Sequence, residues 1–97
     1  MGLKDEYFAR MVSRFRKWDA EFGVLTERGE QVSATARSQY DEQLREMRAS
    51  RDATYRKLQG VRTASESAWR RMQAGVDEAW GTMNSALDRA SAQFRTK

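Results

Sequence analysis

Three adjacent carboxylate pairs, Asp5-Glu6, Asp41-Glu42 and Asp77-Glu78, are the groups in this chain that come nearest to acid–base or metal-binding machinery. Such chemistry needs two carboxylates converging on one point, whereas neighbours on a helix point about 100° apart. Pairs at helical spacing, such as Asp41 with Arg45 and Arg48 with Asp52, read as a solvated charged face. The chain has no histidine, so no serine has a base to activate it and the Glu-x-x-His element of a di-iron bundle cannot form. It has no cysteine, which removes thiol nucleophiles, disulfides and thiolate metal sites. No glycine-rich phosphate loop occurs. The expectation is a protein that is not an enzyme, without catalytic residue, metal, cofactor or small-molecule substrate.

Charge offers a second kind of chemistry. Residues 1–48 balance nine Lys/Arg against nine Asp/Glu, whereas residues 49–97 hold nine against five and so carry the whole net charge of +4. Between Arg48 and Arg71 the acidic residues are Asp52 and Glu66 alone. Arg48, Arg56, Lys57, Arg70 and Arg71 are the side chains that would meet a polyanion, either nucleic-acid phosphate or an anionic membrane surface. The plainer reading is a solvated basic face, or one that pairs with an acidic face of a neighbouring chain.

These side chains must be positioned by helices. The chain is 33% charged, lacks proline, is rich in Ala, Arg, Glu, Gln and Met, and has a mean hydropathy of −0.90. Its apolar residues recur in threes and fours as Met11, Phe15, Trp18, Phe22, Leu25, Val32, Ala36, Tyr40, Leu44, Met47, Tyr55, Leu58, Trp69, Met72, Val76, Trp80, Met83, Leu87, Ala90 and Phe94. The average step, about 3.61 residues, lies between the heptad value of 3.5 and the hendecad value of 3.67, so nearly straight helices are expected. No segment alternates with the period of two that a strand requires. Gly29 and Arg51 interrupt the stripe, and Arg62 and Ser65 thin it. An arginine on such a stripe must pair, snorkel, or mark a place where helices splay. An 11-residue repeat is visible near the C-terminus, where Ala68, Trp69, Met72, Val76 and Asp77 recur as Ala79, Trp80, Met83, Leu87 and Asp88.

Two places could turn the chain. In the stretch Gly60–Ser67, Ser65 or Ser67 can cap a following helix, and Gly29 is the second candidate. The favoured arrangement is an extended antiparallel coiled-coil hairpin, with a long helix over about 4–62 and a second over about 66–95. Its N-terminal half would then need a partner, most simply a second copy, because a lone helix cannot bury this stripe. Turns at both sites would make a three-helix bundle, and no turn a rod of roughly 145 Å. In each case residues 1–97 form a single helical domain. The seam for the core or for self-association is Phe15, Trp18, Phe22, Leu25, Tyr40, Leu44, Met47, Leu58, Trp69, Met72, Val76, Trp80, Met83 and Leu87, with Met11 and Phe94 at its ends.

The segment Ala68–Trp80, read as AWRRMQAGVDEAW, resembles an AW-x-x-(L/M)-x-x-GV-(E/D)-x-AW pattern of small bacterial coiled-coil proteins, some of them described as stress-related. Asp5-Glu6-Tyr7 and Trp18-Asp19-Ala20-Glu21 are similar to the same group. This chain departs from it in being arginine-rich and in carrying Gly29. The resemblance implies a bacterial cytoplasmic coiled coil and assigns no functional residue. The charged start Lys4-Asp5-Glu6 lacks the apolar core of a signal peptide, and no run approaches the 18 apolar residues of a membrane span. A cytoplasmic protein that associates with itself, a dimer most simply, is the expectation.

Overall fold

The computed structural model describes residues 2–95, with side chains as far as residue 93. Three α-helices account for nearly all of them: α1 (Leu3–Gly29), α2 (Ala34–Thr63) and α3 (Ala68–Arg95), with no strand among the described residues. Each helix packs on the other two in a rod of 50 × 18 × 17 Å, α2 running antiparallel to α1 and α3.

The all-helical fold class holds, but the long helix over 4–62 does not form. The chain leaves helix after Gly29 and turns over residues 30–33. Gly29 is buried at this corner, and the Tyr40 ring lies against its backbone, where a Cβ on Gly29 would come within 2.5 Å of Cε1. The Tyr40 hydroxyl donates to the Leu25 carbonyl oxygen at 2.5 Å, tying the start of α2 to the end of α1. Ser33, with φ −62° and ψ 156°, caps α2 by accepting from the Ala36 N–H. Arg37 Nη2 donates to the Glu30 carbonyl across the same turn.

The second turn spans residues 64–67. Ala64 is extended, Ser65 Oγ accepts from the Ala68 N–H at 3.3 Å, and Lys4 Nζ donates to the Ala64 carbonyl at 2.9 Å. Gly60, expected inside this break, is helical. What its missing side chain provides is room, since a Cβ there would stand 2.7 Å from the Met72 methyl carbon. Three helices of similar length, with turns just beyond Gly29 and just before Ala68, therefore describe the chain.

One core runs the length of the rod. It takes Tyr7, Met11, Phe15, Trp18, Phe22 and Leu25 from α1, Tyr40, Leu44, Met47, Leu58 and Val61 from α2, and Trp69, Val76, Met83, Leu87 and Ala90 from α3. Burying each large side chain contributes about 1.5–3 kcal/mol. The buried positions repeat every 36 residues: Met11, Met47 and Met83 form one series, and Phe22 with Leu58 and Leu25 with Val61 keep the same spacing. Thirty-six residues are ten turns of an ideal helix, at 3.6 residues per turn.

Candidate interaction surface

Of the expected seam residues whose side chains are described, all but two are buried within the single chain, and Met72 and Trp80 are half-buried against the same core. The side chain of Phe94 lies outside the described residues. The 11-residue repeat of α3 presents its tryptophans to α1. Trp69 lies 6.0 Å from the Tyr7 ring, and Trp80 lies 5.3 Å from Phe15, which also meets Tyr55 edge-on at 5.2 Å. Trp18 stacks on Phe22 at 5.0 Å and donates its indole N–H to the Met83 carbonyl at 3.2 Å. The Trp69 indole N–H is buried without a hydrogen-bond partner, the costly exception in this core.

Reading the stripe from sequence placed Tyr7 in the aromatic N-terminal part of the seam and Val61 beside Arg62, and passed over Thr54. Thr54 is buried because its hydroxyl donates to the Ser50 carbonyl at 2.8 Å, so a polar residue fills an apolar position. Val61 takes the place assigned to Arg62, which is exposed. The 36-residue spacing from Trp18 and Leu25 marks both positions.

The stripe arginines cover the seam. Arg51 grips Asp19 of α1 with two donors, Nε to Oδ1 at 3.0 Å and Nη2 to Oδ2 at 2.8 Å. Its guanidinium also lies over Tyr55 at 4.9 Å and Phe15 at 5.4 Å. The hydrogen bonding to Asp19 raises its pKa above the ordinary arginine value. Both partners are part-exposed, so a double-mutant cycle of Arg51→Met with Asp19→Asn is expected to give a coupling near 1 kcal/mol, the upper end for surface pairs with two-point geometry. Urea denaturation measures it, and additive single-variant effects would show that the grip contributes nothing. Arg62 lies over Phe8, Arg10 over Tyr7, Arg48 over Phe22 and Arg70 over Trp69, at 5.6 to 6.0 Å.

The five residues expected to meet a polyanion are therefore dispersed. Arg48 leans towards α1, and Lys57, nine residues on and about 180° round the helix, lines the α2–α3 groove with Glu78. Arg70 is over Trp69, while Arg56 and Arg71 are exposed.

Between α1 and α3, Tyr7 donates its hydroxyl to Asp77 Oδ1 at 2.7 Å in an open groove with Arg10, Arg14, Gln73 and Trp80. Burial, the hydrogen bond and the Asp77 charge push the phenol well above its ordinary value, and burial raises Tyr40 as well. A folded-state pKa above the unfolded one contributes stability that is fully present below about pH 10 and lost as the pH climbs beyond it. Thermal stability should therefore decline steeply on the alkaline side of pH 10. Tyr7→Phe should lose about 0.5–1.5 kcal/mol at neutral pH and show a shallower alkaline decline. Parallel pH profiles for the two proteins would remove Tyr7 as a cause.

Four of the surface cavities are open grooves between helices, and another is a shallow hollow along α3. Among the described residues no group of His, Cys, Asp or Glu could hold a metal ion, and no helix is long and apolar enough to cross a membrane. No family model, curated protein or solved structure matches the chain.

Proposed function

We propose that the chain is a non-enzymatic structural module, a helical rod that works by self-association and by contact with other proteins. The observation that carries this reading is the use made of its most distinctive side chains. Aromatic residues, methionines and stripe arginines tie three helices together along a 50 Å rod. Its carboxylate pairs are exposed, each neighbour about 100° from the next. This role agrees with what the likeness of Ala68–Trp80 to bacterial coiled-coil proteins implies, a cytoplasmic location included.

Sedimentation equilibrium over a wide micromolar range is the test, with a mass rising from monomer towards dimer as the expected result. A monomer at every concentration would overturn self-association. If tryptophan emission then shifted to the blue on anionic vesicles, or DNA were retained in a salt-sensitive way, the function would move to an anionic surface met by Arg56, Lys57 and Arg71.

A further inference from the structure

We infer that the α1–α2 turn is a hinge, and that the chain forms a dimer by straightening it and exchanging α1 with a second copy. The inference rests on the self-association proposed above and names its route. The first observation is phase. Met11 and Met47, Phe22 and Leu58, and Leu25 and Val61 stand 36 residues apart, ten turns of helix, so a helix continuous from α1 into α2 would keep every buried position on one face. A turn that had to stay closed would place no such demand on the spacing, because the two helices it joins could have any relative phase.

The second observation is the turn itself. Glu30 is already in the helical region at φ −69° and ψ −19°, and Ser33 has a helical φ of −62° with an extended ψ of 156°. No described residue has positive φ, and no proline or glycine lies within residues 30–33. Rotation about ψ of Ser33 supplies most of the change at the two ends of the turn. The contacts given up are the Ser33 cap and the Arg37 bond to Glu30, both exposed to solvent.

The third observation is what exchange preserves. α1 runs antiparallel to α2, and its ties from Asp19 to Arg51, Trp18 to Met83 and Tyr7 to Asp77 lie far from the hinge, whereas the Tyr40 bond to the Leu25 carbonyl lies beside it. A partner's α1 entering in the same direction remakes the three distant ties. Two straightened α1–α2 helices would then cross antiparallel at their hinges, each half of the dimer repeating the bundle of one chain.

Two substitutions push the hinge in opposite directions. Ser33→Ala removes the cap and favours helix, and with two hinges per dimer it should tighten association on the order of 100-fold. Ala34→Pro suits the first residue of α2, since the preceding Ser33 is extended, but it breaks a continuous helix. It should weaken association by at least about 1000-fold while leaving a folded monomer. For the distance measurement, the cysteine-free chain accepts Ser13→Cys with Gln59→Cys, both exposed. In the closed bundle these sites lie side by side across a rod 18 Å wide. In a straightened helix, 46 residues apart, they are about 69 Å apart. Spin labels on a few chains refolded with excess unlabelled Ser33→Ala protein should give the long distance in the dimer fraction. A dimer showing only the short distance overturns the exchange while leaving self-association standing. Absence of any dimer in the wild type and in Ser33→Ala overturns both. Should Ser33→Ala fail to fold, the wild-type dimer decides, and its survival in Ala34→Pro would overturn the hinge.

Discussion

Phe15→Ala is expected to lower stability by about 3–5 kcal/mol, the usual result of emptying a large aromatic site in a packed core. Phe15 is 1% exposed, sits midway along α1, and is met by Tyr55 of α2 and Trp80 of α3, with the Arg51 guanidinium over its ring. Its removal therefore loosens all three helices together, and neither half of the rod can close the void without moving its tryptophans. At roughly 4–8 °C per kcal/mol for a domain of this size, the melting temperature should fall by about 12–40 °C. Small domains have only about 5–15 kcal/mol in hand, so this loss is a large share of the whole. Leu3→Ala is the control. Leu3 is apolar but 62% exposed, so its loss should stay within about 0.5 kcal/mol. Calorimetry or far-ultraviolet dichroism gives both values. A Phe15→Ala protein melting within a few degrees of the wild type would mean that the ring is not enclosed as described.

Gly29→Ala and Gly60→Ala are expected to have opposite effects, although both glycines are helical and the same methyl group is added. Alanine in place of glycine within a helix gains about 0.8–1 kcal/mol, so intrinsic propensity favours both changes. At Gly29 the new Cβ would lie 2.5 and 2.8 Å from two carbons of the Tyr40 ring, which is held at its far end by the hydroxyl bond to the Leu25 carbonyl. A rigid ring so anchored cannot retreat without losing that bond, and overpacking costs of about 1–3 kcal/mol exceed the propensity gain. At Gly60 the obstacle is the terminal methyl of Met72, which swings away on three rotatable bonds. Gly60→Ala should then be neutral or stabilising by up to about 1 kcal/mol. Urea denaturation midpoints measure both. Two stabilised variants would mean that Tyr40 yields freely, and two destabilised variants that Met72 does not.

The Gly29 result bears on how much of this fold was legible in the residues alone. Glycine at 29 and at 60 looks alike in sequence, as a gap in the helical pattern near a possible turn. One stands beside the turn and the other inside a helix, and what separates them is the neighbour reached across space, Tyr40 or Met72. The break before Ala68 was better marked, because Ser65 carries a capping hydroxyl where the stripe is thin. Among the interaction candidates, the apolar seam was legible because large side chains at helical spacing have few other places to go. The basic residues Arg48, Arg56, Lys57, Arg70 and Arg71 are close in sequence, but which ring each would lie against was not legible: Arg48 lies over Phe22 and Arg70 over Trp69.

By itself the sequence determined that this chain is helical, that one apolar face runs almost from end to end, and that no histidine or cysteine is present for chemistry. These are local matters, set by residue type and by a period of 3.6. Only the tertiary structure decided where the face is folded and against what it closes. A stripe whose buried positions recur every ten turns has the same phase whether the chain runs straight or doubles back. The choice falls to a few contacts between distant residues: Tyr40 against Gly29, Arg51 on Asp19, and the Trp18 indole on the Met83 carbonyl. Such contacts exist only once the helices lie side by side, and no local period encodes them.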